Sequence, residues 1–154
     1  MPRYWLMKSE PSEVSIDDLA SAAGQVLPWT GVRNYQARNF MRDAMQPGDG
    51  VLFYHSSCPQ PGIAGLAQVV GEVQPDPTQF DPASPYFDPK LSREAPRWLL
   101  RDVKLLRQTR LLTLPEMRAA PALATMQVLQ RGNRLSITPV TLAEWQAVLA
   151  LLGP

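Results

Sequence analysis

Apolar residues along this chain come in short runs, each broken within a few positions by proline, glycine or charge. Tyr4, Trp5, Leu6 and Met7 predict a short buried strand, which "KSEPSE" ends. Ser15 and Asp18 form a capping-box pair, and Ile16, Leu19 and Ala20 supply the apolar side of a short helix stopped by Gly24. A second helix opens at Asn34 or Tyr35. Its apolar positions Ala37, Phe40, Met41, Ala44 and Met45 recur at three and four, and "QPGDG" ends it. "VLFYHSS" and "GIAGLAQVVGEV" read as an antiparallel pair around a loop at 58–62, with glycines that suggest a bulge or a close backbone approach. The segment 74–96 holds six prolines and no period. It is long for a loop in a compact domain, which points to function or partial disorder. A strand over 98–106 follows, then a helical stretch from near Pro115 and a strand over 135–139. Thr141 and Glu144 cap a final helix whose Leu142, Trp145, Val148, Leu149 and Leu152 face inward.

Short strands mixed with short helices, without regular alternation, predict an α+β fold and exclude a doubly wound sheet. A small, curved, partly closed β-barrel flanked by helices fits this order best. At 154 residues, 45% of them apolar, residues 1–154 suit one domain able to build its own core. No apolar run reaches the roughly 20 residues that a bilayer span needs. The amino terminus lacks a signal pattern, so the expected location is cytoplasmic, or the nucleus in a eukaryote.

Charge adds one feature. The net charge is only +1, yet positions 90–134 carry ten basic residues against three acidic ones, a bias suited to a polyanion. The alternative is a solvated face balanced by the acidic first half of the chain.

Catalytic chemistry finds little support. The one histidine, His55, precedes Ser56, Ser57 and the one cysteine, Cys58. A nucleophile needs its base within hydrogen-bond reach. In a strand His55 shares a face with Ser57, and Cys58 meets it only if the strand ends there. Such a histidine more simply hydrogen-bonds within a pocket or packs at a strand end. One cysteine excludes an internal disulfide and a multi-cysteine zinc site, and no metal-ligand spacing or glycine-rich phosphate loop is present. What remains is a set of planar and forked groups. Trp5, Trp29, Tyr35, Phe53, Tyr54, Phe87 and Trp98 offer stacking faces, and Ser9, Glu10, Arg33, Asn34, Asn39 and His55 offer hydrogen bonds. A flipped or single-stranded base is read in this manner. Trp5 and Trp145 lie in apolar stripes and read as core, whereas Trp29 and Trp98 adjoin loop chemistry.

The motifs "YWLMKSEPSEVSIDDL", "WTGVRNYQARNFMRDAMQPGD", "LFYHSSCPQPGIAGLAQVV", "PDPTQFDPASPYFDPK", "PRWLLRDV" and "RLSITPV" occur in this order. Together they resemble the EVE domain from about Arg3 to Trp145. Gln74 and Phe87 depart from its pattern. The resemblance implies a PUA-like fold similar to the YTH domain, and a non-enzymatic module that binds a modified base in DNA or RNA. Methylated or hydroxymethylated cytosine leads as ligand, with methylated adenine as the alternative. It implies no cofactor or metal, and a monomer is assumed. Position by position, the implied pocket comprises Ser9, Glu10, Trp29, Val32, Arg33, Asn34, Tyr35, Asn39, Tyr54, His55, Ser56, Arg97 and Trp98. In this picture Trp29 and Trp98 supply faces, and Tyr35 or Tyr54 a third wall. Asn34, Asn39, Ser9 or the backbone addresses the base edge, and Glu10 accepts a hydrogen bond from an exocyclic amine. Arg33, Lys90, Arg93, Arg97 and Arg101 are the expected phosphate contacts. Two other classes stay open: an enzyme acting on a base or nucleoside through His55 or Cys58, and a protein-interaction module using the proline-rich loop.

Overall fold

The computed structural model describes residues 2–90 and 96–154. Its centre is a six-stranded mixed sheet in the order β2-β5-β4-β3-β1-β6. The strands are β1 (Tyr4–Ser9), β2 (Val26–Pro28), β3 (Gly50–His55), β4 (Gly62–Pro75), β5 (Leu99–Thr113) and β6 (Ile137–Val140). β1 and β3 run parallel, with Trp5 opposite Val51, and all other neighbours are antiparallel.

The sheet is covered on both faces, which explains why its central strands read as continuous apolar runs. Trp5, Met7 and Phe53 point into one core with Ile16, Leu19, Ala37 and Met41. Leu6, Leu52 and Tyr54 point into the other with Met117, Leu123, Trp145 and Val148. Helices α1 (Ile16–Ser21) and α2 (Tyr35–Asn39) therefore serve the first core, and α3 (Leu114–Ala119) and α4 (Leu142–Leu152) the second. The capping boxes expected at Ser15/Asp18 and Thr141/Glu144 are both formed, and Thr113/Glu116 adds a third. Asn34 caps α2, which continues as a π-helical turn over Phe40–Ala44. Among the described residues no helix is long and apolar enough to cross a membrane.

Four expectations need correction. The sheet ends at β2 and β6, which do not pair with each other, so it is open and the expected barrel is not closed. β2 went unseen because three residues carry no period, and its pairing partner lies in β5, far along the chain. β5 extends to Thr113, since bulged pairing with β4 holds its polar second half in the ladder. Leu142 is exposed at the start of α4, where it precedes the buried stripe.

The described part of the proline-rich segment, 74–90 and 96, is packed rather than loose. After β4, the buried Asp76 accepts from Thr78 N at 2.8 Å and caps a short 3-10 turn, Pro77–Phe80. The buried Gln79 amide donates to Asp76 O (2.7 Å) and Trp98 O (2.8 Å). Its Oε1 accepts from Trp98 N at 2.9 Å and Arg97 N at 3.1 Å. All four bonding positions of one side chain are thus filled, one closing the loop on itself and three tying it to Arg97 and Trp98, just before β5.

Candidate functional site

A cavity of about 700 Å³ opens over the first core. Leu27, Trp29, Val32, Phe53 and Val103 give it apolar walls, and the remaining lining comes from the ends of β1 and β2 and from neighbouring loops. Three of those loops are tied to one another. Ser9 Oγ donates to Val14 O at 2.6 Å, Ser56 N donates to Ser9 O at 3.0 Å, and Lys8 N donates to Ser136 O at 2.8 Å. These bonds place Ser9, Glu10, Glu13 and Val14 on one side, Ser56 and Ser57 beside them, and Asn133, Arg134 and Ser136 at the edge. Trp29 is fixed by its own N–H to Arg101 O at 2.9 Å, and its ring meets Phe53 edge-on with centroids 5.1 Å apart.

Facing them is Tyr86, from the proline-rich loop. Gly31, at φ +82°, lets its ring come close: a Cβ there would lie 2.8 Å from a ring carbon. Gly31 N donates to Asp76 Oδ2 at 2.8 Å. Arg33 completes the brace, with all five guanidinium N–H groups donating inside the chain. They reach Tyr86 O twice (2.9 and 3.3 Å), Val32 O (3.0 Å), Asp76 Oδ2 (3.1 Å) and Thr78 Oγ1 (3.0 Å). The same guanidinium lies over the rings of Tyr86 and Trp98, at 5.2 and 5.4 Å. From this position the Tyr86 hydroxyl donates to Glu13 Oε2 at 2.6 Å, joining two loops across the cavity. Burial and then the Glu13 carboxylate push the Tyr86 phenol up to about 12, so it stays a donor.

Of the residues expected at the site, Ser9, Glu10, Trp29, Val32 and Ser56 line this cavity. The others sit elsewhere, each for a definable reason. Arg33 has no donor left for a phosphate. Asn34 Oδ1 accepts from Ala37 N at 3.1 Å as the cap of α2. Asn39 Oδ1 accepts from the Arg38 guanidinium at 2.8 and 3.1 Å. Tyr35 is exposed and stacks on Trp98, which is buried behind the brace. Tyr54 points into the opposite core, since strand neighbours alternate and Phe53 takes the cavity side. His55 Nε2 accepts from Ile16 N at 3.1 Å, satisfying an amide of the first turn of α1. Of the expected phosphate contacts, Arg101 is buried and donates to Gly71 O at 3.0 Å. Arg97 lies 3.8 Å from Asp88, and the exposed Lys90 is outside the cavity wall. Arg93 lies outside the described residues.

Tyr86 and Glu13 were not singled out by the sequence, whereas Arg134 belongs to the basic span 90–134 expected to meet a polyanion. Tyr86 was carried within the quoted "PDPTQFDPASPYFDPK", but a loop without a period gave no direction for its ring. Arg134 is exposed at the cavity edge and has no hydrogen-bond or ion-pair partner among the described residues.

The EVE domain model matches residues 3–151. The chain belongs to the EVE domain family. Thymocyte nuclear protein 1 of Homo sapiens is 42% identical over 165 residues, which cover 96% of this EVE chain and 73% of that protein. Among solved structures, a protein from Pseudomonas syringae is 48% identical with a TM-score of 0.90, over 96% of this chain and 98% of that one. Human THYN1 protein in complex with 5-methylcytosine-containing DNA is 42% identical with a TM-score of 0.89, covering 99% and 98%.

Proposed function

We propose that this EVE domain binds DNA carrying methylated or hydroxymethylated cytosine and takes the modified base, turned out of the stack, into the cavity beside Trp29. The observation that carries this reading is an aromatic-walled cavity of about 700 Å³ in a chain 42% identical to human THYN1, whose solved complex contains 5-methylcytosine DNA. That volume is within the range of pockets that enclose small ligands. Stacking on an aromatic face contributes about 1–3 kcal/mol per base, and Trp29 and Tyr86 are the aromatic faces that suit it. A 5-methyl group is read by apolar contact, which Trp29 and Val32 can supply. The exposed Arg134 of the cavity lining holds a flanking phosphate, so affinity falls as salt rises. One chain suffices for one base.

The reading is of a binder without chemistry. The His55 lone pair is already engaged by Ile16 N, so this imidazole is not free to serve as the base for a Cys58 or serine nucleophile. No group of three metal-ligating side chains occurs among the described residues.

Fluorescence anisotropy with matched duplexes tests the proposal. Duplexes with 5-methylcytosine should bind more tightly than those with cytosine, and Trp29→Ala should remove most of the difference. Asn34→Ala, a helix-cap change away from the cavity, should leave it. RNA and methylated adenine belong in the same titration. Equal affinity for modified and plain bases in every duplex would end the modified-base reading.

A further inference from the structure

A pocket that senses a 5-methyl group on cytosine meets a chemical problem. Thymine carries the same methyl on the same ring and is an ordinary base of DNA. Apolar contact with Trp29 and Val32 cannot separate the two. The difference lies on the edge: cytosine presents an amine at C4, thymine a carbonyl oxygen. An ionised carboxylate only accepts hydrogen bonds, so it attracts the amine and repels the oxygen.

Two carboxylates line the cavity, Glu10 and Glu13. Glu13 is the one held in place. The Tyr86 hydroxyl donates to its Oε2 at 2.6 Å, while its Oε1 has no hydrogen-bond partner among the described residues. Tyr86 in turn is seated on Gly31 and gripped through its carbonyl by Arg33. An acceptor fixed before the ligand arrives loses little freedom on binding. We propose that Glu13, oriented by the Tyr86 hydroxyl, accepts the C4 amine of the inserted cytosine and thereby rejects thymine. This inference rests on the base-in-cavity reading above and assigns the group that sets its specificity.

The test uses three duplexes that differ at one central base opposite guanine: 5-methylcytosine, cytosine or thymine. A thymine–guanine mismatch is the easier one to open, so a protein sensing only the methyl would favour it. Wild-type protein should instead prefer 5-methylcytosine over thymine by about tenfold or more. Glutamine offers both a donor and an acceptor, so Glu13→Gln should lower that ratio to about threefold or less, chiefly through tighter thymine binding. Tyr86→Phe keeps the ring but frees Glu13, and its ratio should fall between the two. The exposed position of Glu13 lets the variant fold, which circular dichroism verifies. Thymine bound as tightly as 5-methylcytosine by the wild type, or an unchanged ratio in Glu13→Gln, would overturn the assignment. Equal binding of the two cytosines, both tighter than thymine, would overturn the modified-base reading yet support Glu13. Absence of any DNA binding overturns both.

Discussion

Replacing Gly31 with alanine tests the brace that holds Tyr86. The new Cβ would lie 2.8 and 2.9 Å from two Tyr86 ring carbons and 3.2 Å from a third, so the ring must move. The backbone at φ +82° adds a left-handed penalty of about 1–2 kcal/mol for an L side chain. The smaller freedom of alanine in the unfolded chain offsets about 0.4–1 kcal/mol of that. Moving the ring weakens its contact with the Arg33 guanidinium, worth about 0.5–1 kcal/mol, and its bond to Glu13. The net expectation is a loss of about 2 kcal/mol, which at this chain length lowers Tm by about 4–8 °C. Thermal melts followed by circular dichroism measure it. The decisive comparison is a double-mutant cycle with Tyr86→Ala. Without the ring, Gly31→Ala should cost about 1 kcal/mol less, because only the backbone penalty remains. An identical cost in both backgrounds would refute the steric argument.

Three further outcomes follow from the same geometry. Burial holds the His55 imidazole below its ordinary 6.5, with Asp17 pulling weakly upward, and its neutral Nε2 is the acceptor for Ile16 N. The unfolded chain therefore takes the proton first. The His55 contribution is complete above pH 6.5 and is lost as pH falls through the lower folded-state value. Urea midpoints should show this slope, and His55→Gln should flatten it; an unchanged slope would assign it to other groups. Trp145 is buried and stacks on Tyr4 with centroids 4.6 Å apart, so Trp145→Ala should cost about 3–5 kcal/mol in denaturant unfolding while folded protein keeps its base preference. Arg134→Ala should reduce the slope of log affinity against log salt by about 0.9, with the ratio of modified to plain base retained. A slope equal to the wild-type value would mean that Arg134 meets no phosphate.

Local signals were legible in the sequence, and distant ones were not. The capping boxes of α1 and α4 are complete within four residues each, so spacing alone found them. The β3–β4 pair likewise joins neighbours in the chain. The parallel β1–β3 pairing and the β2 edge depend on partners about 45 and 75 positions away, which no period records. At the site, Trp29, Val32, Ser9, Glu10 and Ser56, implied by the resemblance, line the cavity. The resemblance implied ligand roles for Arg33, Asn34, Asn39 and Trp98, whereas the structure engages Arg33 in the brace with Trp98 beside it, Asn34 as the cap of α2 and Asn39 with Arg38. Only the hydrogen bonds each side chain makes separate a structural use from a ligand-binding one. Tyr54 was one of two alternatives, with Tyr35, for a third wall, and the structure turns it into the opposite core from Phe53. Tyr86 and Glu13 sit in turns, where direction comes from contacts made by the fold and leaves no trace in spacing.

The saturation of Arg33 has a consequence for retargeting this protein. Its five donors, the Asp76 carboxylate and the Gln79 amide are spent within the chain, so substitutions there would disturb the frame itself. Glu10 and Arg134 are exposed with no side-chain hydrogen bond among the described residues, and the exposed Glu13 holds one, from Tyr86. A library confined to those three positions can explore other base edges on a chassis that stays folded, and mutational tolerance and ligand choice are thereby separated.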